Sequence, residues 1–232
     1  LVIALIIAAF LGLFYSHKYR APKRKYSDFH CFYVAGQRFL NQENIYVLRD
    51  KETAEFRYAP IFAMFMSGLA LLNEDAADTL WYTINFCLLI LSFLMLHRLV
   101  IRSYIGSRRT VWVVYALAVF GVIRLMIHNL DVGQTNILML ASMLGGIYYI
   151  VEKKNEVLGG MIFAFSIMIK YTPLVFLPYF ILRRRFKSAF IIMACVAVYL
   201  VLPSLFVGIR TNFLYLKSLV PFLFNSTILD QM

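Results

Sequence analysis

The sequence predicts an all-α protein built as a polytopic bundle of transmembrane helices, and three observations carry that prediction. Hydrophobic residues make up 62% of the 232 and charged residues 15%, with a mean hydropathy of +0.74. A soluble chain of this length needs more polar surface than that. The charges are also segregated, into 16–57, 98–109, 152–156 and 183–187. Between them lie apolar runs at 79–96, 110–127 and 186–208, which reach or approach the roughly 20 residues that cross a bilayer.

Residues 1–15 are apolar throughout and lack the basic flank and cleavage site of a signal peptide. They read as a first transmembrane helix, and because the chain opens at Leu1 that helix is expected to be cut short. Segment 16–57 is hydrophilic. Within it apolar residues recur at Phe29, Phe32, Tyr33, Gly36 and Leu40, with Gln37 and Arg38 opposite. That spacing predicts an amphipathic helix along the membrane surface, capped by Ser27 or Asp28. Residues 59–72 are apolar but too short to cross, which suggests a re-entrant or surface helix, and 136–151 is slightly short. Residues 157–182 are too long for one upright span, and Lys170-Tyr171-Thr172-Pro173 interrupts them. Pro173 lacks an amide donor and disfavours helix at the residue before it, so two short helices should meet at this break. Residues 222–232 are expected to form a loop, as if the chain were part of a longer protein.

The positive-inside rule orients the bundle. It places 98–109, 152–156 and 183–187 in the cytoplasm, and 16–78, 128–136, 170–173 and 208–232 outside. Lys18, Arg20, Lys23, Arg24 and Lys25 oppose this arrangement, although long loops translocate largely regardless of charge. The expected organisation is one transmembrane domain over 1–232. It comprises a first helix at 1–15, an external loop with juxtamembrane helices at 16–78, a bundle at 79–208 and the start of a further external segment at 209–232. The net charge of +11 sits at the ends of apolar runs, where it serves anionic headgroups rather than nucleic acid. The three cysteines are scattered, and neither a metal-ligand spacing nor a Gly-rich phosphate loop occurs. No metal and no cofactor are expected, and soluble nucleotide-sugar or ATP chemistry is disfavoured.

Several polar residues in this apolar chain call for a reason. Asp28 suits a helix cap, and equally a carboxylate at the interface that takes a proton from a hydroxyl. Arg57 and Tyr58 precede Pro60 and could be interfacial anchors or ligand contacts. Arg124, His128 and Asp131 are spaced i, i+4, i+7 and share a helix face, as a structural ion pair or as part of a site. Gln134 and Asn136 follow Gly133 at a helix entrance, where amides cap or bind a polar ligand. Lys170 stands at the break, either snorkelling to the interface or aimed at an anion in a cavity.

Three patches resemble glycosyltransferase family 87, the DUF2029 or PimE-like mannosyltransferases of the GT-C superfamily. Asp28-Phe29-His30-Cys31-Phe32-Tyr33-Val34-Ala35-Gly36, continuing to Asn44-Ile45-Tyr46, is similar to the family's D-x-x-x-Y-x-x-A…Y pattern. Tyr58-Ala59-Pro60 matches Y-x-P. Gly133-Gln134-Thr135-Asn136, Gly159-Gly160 and Lys170-Tyr171-Thr172-Pro173 follow GQ-x-N…G…K-x-x-P. The family's members usually run well beyond this length. The resemblance implies a GT-C type bundle in a bacterial inner membrane. It implies a polyprenyl-phosphate sugar as donor, with mannose the first expectation, and a lipid or glycan acceptor at the external face. It makes Asp28 the catalytic base of an inverting transfer. Lys170, with Arg57 or Arg124 second, would face the donor phosphate, and Tyr58, Gln134 and Asn136 would bind sugar hydroxyls, beside His128 and Asp131. A lipid flippase whose buried charges line a passage is the other expectation, although no inverted repeat is visible.

Overall fold

The computed structural model describes residues 12–14, 27–46, 55–103 and 108–224. The expected loop at 16–26 and most of the expected first helix therefore lie outside the described residues. Within them the regular structure is all helical. In chain order the helices are α1 (Asp28–Leu40), α2 (Pro60–Leu69), α3 (Glu74–Ser103), α4 (Arg108–Val132), α5 (Asn136–Val151) and α6 (Glu156–Ile169). A 3₁₀ turn (Thr172–Val175) then leads to α7 (Phe176–Leu182), α8 (Phe186–Val201), α9 (Ser204–Val207) and α10 (Ile209–Phe224).

Ser27 caps α1, its hydroxyl accepting from the His30 amide at 3.2 Å. Asp28 is thereby released from capping and stands in the first turn, where a negative charge suits the helix dipole. The buried face is broader than the sequence suggests, because Cys31, Ala35 and Phe39 join Phe29, Phe32, Tyr33 and Gly36. Leu40, expected on that face, is 45% exposed at the end of the helix. The reason is α2. Its ten residues carry no charge and bury Ile61, Phe62, Ala63, Met66 and Leu69, so α2 is packed under α1 as a core element. Gly36 marks the crossing, since a Cβ there would stand 2.7 Å from the Met66 carbonyl oxygen.

Glu74–Val100, Val113–Val132 and Phe186–Val207 are long and apolar enough to cross a membrane. The second has only 6% of its span buried, leaving Leu117 and Phe120 exposed. α5 and α6 are shorter and pack intimately, because Gly146 and Gly159 let the two backbones approach. A Cβ on Gly146 would meet Phe163 Cβ at 2.6 Å and the Gly159 carbonyl at 2.9 Å. The chain then breaks where Pro173 requires it. Lys170 is extended, with φ −144° and ψ 138°, and α7 turns back along α6 so that Phe163 meets Phe180 at 5.5 Å. Residues 222–224, expected in a loop, continue α10, and 225–232 lie outside the described residues.

Side-chain contacts sort the connections between two ends of the bundle. Arg98 donates to the Tyr148 hydroxyl at 3.1 Å, Lys153 stands over the Tyr148 ring, and Lys187 lies 3.9 Å from Glu156. The basic segments after α3, α5 and α7 thus gather at one end. The start of α1, the α4–α5 turn and the break at Lys170 gather at the other.

Candidate functional site

The α4–α5 turn brings distant motifs together. Gly133 adopts φ +73°, a conformation that suits glycine, and lies so close to α1 that a Cβ would stand 2.7 Å from Phe29 Cβ. Trp81 fixes the turn from below, its indole N–H donating to the Gly133 carbonyl at 2.8 Å. This seats Gln134, Thr135 and Asn136 beside the N-terminus of α1, although more than a hundred residues separate them.

From the turn a polar network spreads to the break. Lys170 Nζ donates to Asn136 Oδ1 at 2.5 Å. The Asn136 amide in turn donates to Gln134 Oε1 at 2.5 Å and to Asn129 Oδ1 at 2.6 Å. Thr135, fully buried, donates its hydroxyl proton to Tyr58 OH at 3.5 Å. The ring of Tyr58 stands edge-on to Phe32 at 5.0 Å, and its carbonyl accepts from Tyr46 OH at 2.8 Å. Tyr46 is positioned by an Asn44 side chain that accepts from its amide at 3.0 Å.

Asp28 is half-buried at the edge of this network, and its charge is felt by three neighbours. Burial pushes the Tyr58 hydroxyl up to about 12, with the Thr135 hydrogen bond working against the rise and the Asp28 carboxylate adding to it. Burial likewise raises the Cys31 thiol to about 12, again with Asp28 adding, so this cysteine stays protonated and inert. For Lys170 the two influences oppose: burial holds its ammonium below the usual lysine range, and the Asp28 charge pulls it back up. Among the described residues no ion pair within 4.0 Å joins Asp28 to Lys170. A carboxylate and an ammonium therefore act on one another across a gap.

A groove of about 580 Å³ opens beside Lys170. Its mouth is polar, formed by Glu55, Arg57, Tyr58, Lys170 and Thr172. Its walls are apolar, from Ile167 and Met168 of α6, Val196 and Leu200 of α8, and Leu219 of α10. Arg57 is exposed there and paired to Glu55, whose Oε2 accepts from Nη2 at 2.7 Å and Nε at 3.0 Å. Among the described residues Lys170 is thus the cation at the mouth without a carboxylate in direct contact. The arrangement suits an amphiphile with an anionic head and a hydrocarbon tail, next to a carboxylate able to accept a proton.

Asp28, Tyr58, Gln134, Asn136 and Lys170 are brought together, and Arg57 lines the same groove. Asp131 is half-buried in the last turn of α4, just before Gly133. Arg124 and His128 are exposed on α4, and among the described residues Arg124 forms no ion pair. Among the described residues α4 buries little of its surface, and Arg124 does not line the groove. Asn129 and Glu55 are not among the residues expected from the sequence. Asn129 carried a signal, an amide seven residues before Asn136, but its charged neighbours masked it.

A family model of glycosyltransferase family 87 matches residues 56–227. The match takes in Tyr58, the α4–α5 turn, Lys170 and the walls of the groove, and begins after Asp28. No curated protein and no solved structure matches the chain. Three helices among the described residues that are able to cross a membrane, and a family match over most of the length, lead to one assignment. The chain belongs to glycosyltransferase family 87 and is a membrane glycosyltransferase.

Proposed function

We propose that the protein transfers a hexose, mannose in the first instance, from a polyprenyl-phosphate carrier to a lipid or glycan acceptor. The reaction takes place at the external face of a bacterial inner membrane and inverts the sugar carbon, as in PimE-like enzymes. The observation that carries this reading is the groove. Its charged mouth at Lys170 and apolar walls match a phosphate joined to a hydrocarbon chain, which a soluble nucleotide-sugar donor would not need.

In this mechanism the donor tail lies along α6, α8 and α10 and the phosphate meets Lys170. Asp28 accepts the acceptor hydroxyl proton as that oxygen bonds to the anomeric carbon from the opposite face. The bond from carbon to phosphate oxygen breaks, and its electron pair leaves with the carrier phosphate. Lys170 offsets the charge appearing on phosphate, an electrostatic role most effective where water is scarce. Tyr58, Gln134 and Asn136 orient the sugar. No step calls for a metal or cofactor.

The test is transfer of labelled mannose from polyprenyl-phosphate mannose in proteoliposomes containing the full-length protein. Asp28→Asn should lower turnover by about 10²–10⁴-fold while donor binding survives, as expected when a general base is lost. Near-normal turnover in that variant would end the assignment of Asp28. Donor movement across the bilayer without transfer by the native protein would favour the flippase reading instead.

A further inference from the structure

We propose that the basic end of the bundle, opposite the groove at Lys170, carries a binding site for an anionic diacyl phospholipid. A second groove, of about 390 Å³, runs between α3 and α5 with α6 behind it. That volume suits a stretch of one acyl chain, with the second chain lying in the surrounding lipid. Leu88, Leu91 and Met95 form one wall and Ala141 and Gly145 the other. From Leu88 to Arg98 the groove follows α3 for about 15 Å, the direction in which an acyl chain lies in a leaflet.

Its polar groups sit at one end. Arg98 and Tyr148 close the groove where the basic segments gather. One guanidinium N–H is used on the Tyr148 hydroxyl at 3.1 Å, which leaves four donors in a planar fork suited to phosphate oxygens. Tyr148 accepts in that contact, so its own O–H proton remains to donate to the same head group. Lys153, 5.9 Å over the Tyr148 ring, adds a second cation, and the pair outweighs the neighbouring Glu152. Unused donors and a net positive charge favour a head group that is anionic overall. A zwitterionic one would bring its ammonium beside Arg98 and Lys153.

The floor of the groove exists because residue 145 is glycine. A Cβ there would meet Ile162 Cγ2 at 3.4 Å and Met95 at 3.7 Å, ordinary contact distances. A Cβ there is therefore tolerated, and a longer side chain would compete for the space of the groove. This separates Gly145 from Gly146, whose Cβ would strike Phe163.

The experiment is titration of the purified full-length protein, in uncharged detergent, with dioleoyl phosphatidylglycerol and with dioleoyl phosphatidylcholine, read by native mass spectrometry. The anionic lipid should bind about fivefold more tightly, the preference that one additional headgroup charge near a basic side chain supports. Arg98→Gln should remove that preference. Gly145→Leu should weaken both lipids, read on protein shown by a cooperative thermal transition to be folded, and it tests the groove even if Arg98→Gln unfolds. Millimolar inorganic phosphate should not displace the lipid. Equal affinity for the two lipids in the native protein, unchanged binding in Gly145→Leu, or displacement by inorganic phosphate alone would each overturn the proposal.

Discussion

Lys170 holds its proton under two opposed influences, burial that disfavours the ammonium and the nearby Asp28 charge that favours it. Burial is the larger, so the charge is lost at a lower pH than in a free lysine. The sign of the consequence follows. Affinity for a phosphate-bearing donor should be full on the acid side and fall as pH rises through the lowered value. Lys170→Arg stays charged throughout and should bind the donor with little pH dependence over the same range, whereas Lys170→Met should bind weakly at every pH. Donor binding measured against pH for the three proteins checks this, and identical profiles for native and arginine forms would rule it out. The place of Lys170 at a break between two short helices was legible from one charge and one proline interrupting an apolar run. The division of labour between Ser27 and Asp28 was not, because both residue types cap helices well and the sequence does not say which begins the helix. Asn136 was legible as a polar residue at a helix entrance, but its grip on Lys170 needs two segments 34 residues apart to meet.

At the scale of the elements, the site depends on how closely helices approach. Gly133→Ala would combine a strained positive φ with a Cβ 2.7 Å from Phe29 Cβ. The turn would be pushed away from α1, parting Asp28 from Asn136 and Lys170. Transfer should therefore fall much further than the thermal midpoint, and loss of both in proportion would mean the turn serves stability alone. Gly146→Ala acts elsewhere, wedging α5 from α6 against Phe163 and the Gly159 carbonyl. Overpacking of this kind costs about 1–3 kcal/mol and should lower the thermal midpoint clearly. The spacing of Arg124, His128 and Asp131 correctly puts them on one side of a helix. Periodicity cannot say which way that side turns, and α4, with few neighbours, leaves Arg124 and His128 exposed. The breadth of the α1 face escaped the sequence for a related reason. Its width is set by α2, whose packing under α1 through Gly36 is a tertiary event.

For the molecule as a whole, segregated charge becomes a physical axis. Contacts through Tyr148 and Glu156 collect the basic segments at one end, and the polar network around Lys170 occupies the other. By the positive-inside rule the basic end should face the cytoplasm. With Cys31, Cys87 and Cys195 replaced, a Lys154→Cys protein in intact cells should resist a membrane-impermeant thiol reagent applied from outside. Strong external labelling would invert the orientation. This axis was largely legible in the sequence, since apolar run lengths and basic clusters are local properties. The second groove was not, because it arises from side chains of three helices and the absence of one at Gly145.

The shortness of α6 has a consequence for the bilayer itself. Its 14 residues rise about 21 Å, well short of the roughly 30 Å of hydrocarbon that surrounds a membrane protein. If the Glu156–Lys187 end lies at the cytoplasmic interface, as the positive-inside rule predicts, the break at Lys170 cannot reach the other interface unless the lipid yields. Either the leaflet thins around the groove or the reacting groups lie several ångströms beneath the phosphate plane. A carrier lipid would then be drawn down toward Lys170 at a cost set by membrane thickness. Turnover should accordingly be highest in bilayers of short acyl chains and decline steadily as the chains lengthen. Proteoliposomes prepared across a series of chain lengths would read this directly, and a rate indifferent to thickness would mean the bilayer does not feel the missing length.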